Sequence, residues 1–178
     1  AQGPFTHTGF VSRIAATRPD TLHVVAHDLE DDPSNGDVVV VSLADGKLPF
    51  TTPDLVASAV AGTIARPVPL AIAVNSAGDT FVTLRIETGG TSSAPIAKLA
   101  ARRRPYGGSF SPLPDIVTGL TPAVAVGVGA TSLFVDSTDQ LHLLYEHCAT
   151  QNDSSPRYHA LDGNAWSYRR TLDNSVPD

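Results

Sequence analysis

An all-β fold of β-propeller type is predicted by three features of this sequence. Fourteen glycines and fourteen prolines break 178 residues into short segments, which suits turns and strands and argues against long helices. Those segments alternate apolar and polar residues with a period of two, as strands do. The same order of features then returns three times. Three four-stranded antiparallel blades of a single domain over 1–178 follow, with limits near 8–60, 63–118 and 121–178.

The repeat is read most directly by aligning the segment opening at Ile14 with those opening at Ile72 and Leu133. Each begins with a short apolar strand, turns on Asp, Asn, Gly or Ser, and continues into an alternating strand. His23, Phe81 and His142 fall at the same point. Polar loops are expected next, at Asp31 to Gly36, Thr88 to Ser93 and Ala149 to Ser155. Third strands follow at Asp37 to Leu43, Ala94 to Ala101 and Arg157 to Leu161. A tight glycine turn then leads to an aromatic residue, Phe50, Phe110 or Trp166, and a fourth strand closes each unit.

Alternation such as Leu141, Leu143 and Tyr145 against His142, Leu144 and Glu146 gives a sheet with apolar members on both sides. Both sides must then pack on neighbours, as blades do, with the aromatic after each glycine turn filling the space between sheets. A three-layer β-sandwich is the alternative; it explains strands but not their recurrence. Known propellers close with about four to eight blades, so three leave apolar faces to cover. The expected solution is a homo-oligomer, or a second chain completing the ring; the alternative is a chain that caps its ends with its own loops.

The net charge of −6 lacks the basic balance of a nucleic-acid binder. The one basic run, Arg102 to Arg104, reads as a solvated strand end or loop, with a phosphate-binding patch the alternative. No apolar segment approaches the roughly 18 residues needed to span a bilayer. A single cysteine, Cys148, permits no disulfide within the chain. The opening Ala1-Gln2-Gly3, without methionine, looks like a mature secreted or extracytoplasmic protein. Asn152-Asp153-Ser154 has the form of a glycosylation sequon in an expected loop.

The stretch from Asp136 to Ser167, with its Asp-Ser, Leu-His-Leu, Tyr and Asp-Gly-Asn-Ala-Trp-Ser, resembles blades of the sialidase-like (BNR/Asp-box) propeller superfamily. Ser42 to Phe50 is similar to a degenerate Asp-box. The resemblance implies a carboxylate-binding arginine near the first blade's start, where Arg13-Ile14-Ala15 stands in place of Arg-Ile-Pro. It implies an acid/base aspartate after the second strand, for which Asp32 is the candidate among Asp28, Glu30, Asp31 and Asp32. The tyrosine nucleophile, its glutamate and two further arginines have no counterpart that can be placed, so no complete catalytic set is expected.

Other chemistry is sparse. No nucleophile elbow, phosphate-cradling glycine loop or paired-cysteine zinc pattern occurs. His23 and His27, and likewise His142 and Glu146, lie four apart on strands, about 13 Å, too far to share an ion. Asp28, Glu30, Asp32 and Asp37 crowd oxygen ligands into one loop, which suits calcium, with a solvated acidic loop the alternative and no other cofactor expected.

The expected function is non-enzymatic recognition: a lectin-like module that binds a glycan, or a protein, through loops at one rim. Aromatic rings cover a sugar's apolar face while charged groups hold its hydroxyls. The third unit offers Tyr145, Glu146, His147, Arg157, Tyr158, Trp166 and Arg169, with inter-blade core the competing role for Tyr145 and Trp166. Part of a sialidase-like glycoside hydrolase and a structural subunit assembling through open blade faces are the alternatives.

Overall fold

A computed structural model describes residues 8–18, 21–28, 36–44, 52–58, 67–91, 94–120, 131–150 and 153–171. Among these there is no helix, and none long and apolar enough to cross a membrane. The described residues contain thirteen strands in three antiparallel sheets. The first joins β1 (Thr8–Arg18), β2 (Thr21–Asp28), β3 (Asp37–Ala44) and β4 (Asp54–Ala57) in chain order. The second joins β5 (Pro67–Val74), β6 (Thr80–Thr91), β7 (Ala94–Arg104) and β8 (Ser111–Pro112), and β9 (Val117–Leu120) also pairs with β7. The third joins β10 (Thr131–Val135), β11 (Leu141–Thr150), β12 (Asp153–Asp162) and β13 (Ala165–Thr171).

β1 to β4, β5 to β8 and β10 to β13 each run as a meander, since short turns such as those at 75–79 and 136–140 return the chain antiparallel, while β9 crosses back to pair with β7. Two of these turns are copies of one another. Asn75 and Asp136 each accept a backbone bond three residues on, from Gly78 and Asp139. Gly78 has φ +87° and Asp139 φ +64°, so each supplies the left-handed residue the turn requires. The turns also touch, since the Ser76 backbone N–H donates to Asp139 at 2.9 Å and the two side chains are hydrogen-bonded.

The sheets stack face to face in chain order. Val25, Val38, Val40 and Val56 of the first pack on Ile72, Val82 and Leu84 of the second, with Phe110 beside them. Ala71, Phe81, Ala97 and Leu99 on the second sheet's other side pack on Leu133, Leu141, Leu143 and Tyr145 of the third, with Trp166 beside them. Burying each valine or leucine is worth about 1.5–3 kcal/mol, so the two interfaces are the main apolar contribution to stability. The register is consistent across units. His23 and Phe81 both lie on the face turned toward the following sheet, and His142 lies on the corresponding face of the third.

Three expectations need correction. The middle sheet has five strands rather than four. Thr88 to Ser93 and Ala149 to Ser155 are largely strand: β6 and β7 pair to Thr91↔Ala94, and β11 and β12 to Thr150↔Asp153. Ladder bonds to a long partner strand outweigh the local turn preference of Gly89 and Gly90. The basic run is not merely solvated. Arg103 donates to Asp79 at 2.6 and 3.1 Å over the Phe81 ring, and Arg104 is bonded to Asp54 and Thr80 over the Phe110 ring. Asp79 is held below the ordinary aspartate range: burial would raise it, and the bonds from Arg103, Tyr106 and Asn75 overcome that.

Candidate functional site

Alternation along β11 and β12 decides which polar groups meet. Tyr145 lies opposite Arg157, Leu143 opposite His159, and His159 opposite Tyr168. These side chains therefore share the face that packs on the second sheet. Where the leucine contacts end, Tyr145, Arg157, His159 and Tyr168 line a recess of about 460 Å³ with Ile116 and Val117 across from them. Tyr145 is its floor, 1% exposed, whereas Tyr168 is 53% exposed at its lip.

The polar groups of the recess form a connected set. The Tyr145 hydroxyl lies 3.4 Å from His159 Nε2 and is also bonded by Arg157. The His159 ring sits 5.5 Å from Tyr145 and meets Tyr168 edge-on at 5.3 Å, and His147 meets Tyr145 edge-on at 6.4 Å. Burial pushes the Tyr145 phenol up, against the pull of the Arg157 charge. Burial, then the Arg157 charge, push His159 down, so its imidazole is neutral at physiological pH. Nε of Arg157 and Nδ1 of His159 are buried without a hydrogen bond among the described residues. Each such atom costs about 1–3 kcal/mol unless a ligand or water satisfies it.

The sequence-derived residues divide between this recess and other places. Tyr145, His147 and Arg157 come together. Tyr158 is on the opposite face, where its hydroxyl lies 2.7 Å from His142 Nδ1 while Nε2 of that histidine lies 2.9 Å from Asp136. Trp166 packs half-buried on the core between the second and third sheets. Arg169 grips both carboxylate oxygens of Asp162 at 2.8 Å on the exposed tip. Glu146 is half-buried on the Tyr158 side of β11, since it alternates with Tyr145. His159 and Tyr168 were missed; the two-residue step from Arg157 to His159 is the signal that marks the first of them.

Other candidates cannot be joined to the site. Glu30 and Asp32 lie outside the described residues, as do the side chains of Arg13, Asp28 and Cys148, and Asn152. Asp37 is half-buried and pairs in register with Asp28. Among the described residues no three His, Cys, Asp or Glu side chains form a metal-binding group.

No family model matches the chain, and no curated protein does. Solved structures do. One is an ulvan lyase, described as a new family of polysaccharide lyase, PL25, bound to -[GlcA(1-4)Rha3S]-; it is 13% identical with a TM-score of 0.57. A second structure of this lyase family is 13% identical with a TM-score of 0.58. Each match covers 97% of this chain but only 41% of the lyase chain. At that identity the likeness is one of fold: this chain's all-β architecture is similar to two-fifths of a polysaccharide lyase.

Proposed function

We propose that the three sheets are consecutive blades of a β-propeller and that the chain binds an acidic polysaccharide in the Tyr145–Arg157–His159–Tyr168 recess. The same face of each unit turning to the next supports the blade reading. The single observation that carries the ligand is the pair of buried, unsatisfied nitrogens on Arg157 and His159. A carboxylate on a sugar ring brings two acceptor oxygens to such a pair, and Tyr168 offers the ring's apolar face a surface. The similar lyases support a glycan of this class, one of them holding a glucuronate-containing unit. An extracytoplasmic location suits such a ligand.

Calorimetric titration with polyglucuronate and with a neutral glucan tests this. Tight binding of the acidic polymer is expected, weakened about 10- to 100-fold by Arg157→Met, the worth of a charge-assisted bond, with any affinity for the neutral glucan untouched by that variant. Equal loss of both polymers in Arg157→Met, or no effect of Arg157→Met on the acidic polymer in a folded variant, would overturn it.

A second reading is eliminative cleavage at the same place. A neutral His159 can take the proton from the carbon bearing the uronate carboxylate, whose charge Arg157 offsets. The electron pair forms a ring double bond, the glycosidic C–O bond on the adjacent carbon breaks, and the protonated Tyr145 returns a proton to the leaving oxygen. New ultraviolet absorbance from the unsaturated product, lost in His159→Asn, distinguishes this from binding alone. Sugar release without that absorbance would instead favour a sialidase-like hydrolase, a reading whose support is the sequence repeat.

Ring closure takes blades beyond these three, and a second copy of the chain is one source of them. Phe134 is 49% exposed and stacked on His142 on the third sheet's outer face, as a blade awaiting a neighbour would be. A solution mass equal to one chain would count against assembly.

A further inference from the structure

We propose that the cavity between the first and second sheets is a second carbohydrate subsite, taking one uncharged sugar residue stacked on Tyr106. It encloses about 490 Å³ and shares no lining residue with the Arg157 recess. Three observations point to this ligand.

Among the described residues Tyr106 is the most exposed large hydrophobic side chain, at 82%, and the turn that carries it is held by hydrogen bonds. Its backbone N–H donates to Asp79 at 3.0 Å, and the turn that carries it closes through a 2.9 Å bond from Gly108 to Pro105. The ring comes down on Gly78, where a Cβ would stand 2.8 Å from Cδ2 of Tyr106. An aromatic face left uncovered on a hydrogen-bonded turn is a stacking platform whose backbone is already ordered, so less entropy opposes binding.

Behind the platform the cavity is polar but electrically balanced. Arg104 is bonded to Asp54 and to Thr80, 3.0 Å away. His23, its Nδ1 2.7 Å from Ser42, is kept neutral by burial and by the Arg104 charge, which outweigh Asp54. An anion gains no unpaired cation here, in contrast to the Arg157 recess. Asp54 remains 45% exposed, so its carboxylate can accept sugar hydroxyls while it holds Arg104. A flat aromatic ring beside a part-exposed carboxylate recognises a neutral pyranose by its apolar face and its hydroxyl edge.

The test titrates the whole chain with maltotetraose, cellotetraose, mannotetraose and galactotetraose, following affinity by calorimetry and the Tyr106 ring by proton NMR. At least one should bind and shift the ring resonances. Tyr106→Ala, at an exposed position, should weaken that sugar about tenfold, with Tyr106→Phe retaining affinity. Gly78→Ala, which pushes the ring off the turn, should weaken it likewise. No binding by any of the four, or equal binding by Tyr106→Ala, would overturn the proposal. Polyglucuronate titrated against the same variants reports separately on the Arg157 recess: its affinity should be unchanged by Tyr106→Ala, and failure there leaves the neutral-sugar result standing.

Discussion

Asp136 accepts hydrogen bonds from the Thr138 backbone and hydroxyl, from the Gln140 backbone and from His142. The His142 bond, then those from Thr138, hold its carboxyl well below the ordinary aspartate value of 3.8. A depressed carboxylate stabilises the fold above the unfolded value, and that contribution is lost as pH falls through the folded one. The melting temperature should therefore drop on acidification below about pH 4, and Asp136→Asn should flatten that part of a Tm-against-pH profile; an unchanged acid limb would refute the role. Tyr145 gives a second residue-scale prediction. Tyr145→Phe keeps the ring and removes one buried hydroxyl, costing about 1–2 kcal/mol in urea unfolding, whereas Tyr145→Ala also opens a cavity and costs about 3–5 kcal/mol.

At the scale of the element, β6 is the strand both interfaces share. Val82 and Leu84 face the first sheet and Phe81 faces the third. Leu84→Ala should cost about 2–5 kcal/mol by denaturant unfolding, since close-packed valines surround the space it leaves. Period-two alternation made the second strands legible, from Leu141 to His147 and from Thr80 to Ile86. The recess was half legible for the same reason: Tyr145, His147 and Arg157 lie on strands the pattern defines, but whether Tyr158 or His159 shares their face depends on the register of β12. One residue of uncertainty there exchanges the two. The Arg104–Asp54 pair, fifty positions apart in sequence, left no local trace. Loops set by Gly89 and Gly90 were misjudged because a long partner strand overrides turn chemistry.

Among the described residues the second sheet separates two apolar layers, each built on contacts between neighbouring sheets. Stability in such a stack is close to a sum of unit and interface terms. Leu84→Ala and Leu143→Ala, on opposite sides of that sheet, should therefore be additive within about 0.5 kcal/mol in a double-mutant cycle; a larger coupling would mean that the layers report on one another. Binding of acidic polymer by a chain of net charge −6 should rest on the local Arg157 contact rather than on long-range attraction. Raising salt from 0.05 to 0.5 M, roughly, should then weaken polyglucuronate only a fewfold, where a basic groove would lose orders of magnitude.

The uniform orientation of His23, Phe81 and His142 gives the molecule a polarity: every sheet has a leading surface and a trailing one of different chemistry. Tandem duplication of a unit would thus extend the array head to tail, in the same sense as the existing stack. Deleting the single residue Leu144 would do the reverse, turning Tyr145 outward from its strand and dismantling the third sheet's attachment while leaving the earlier joint intact.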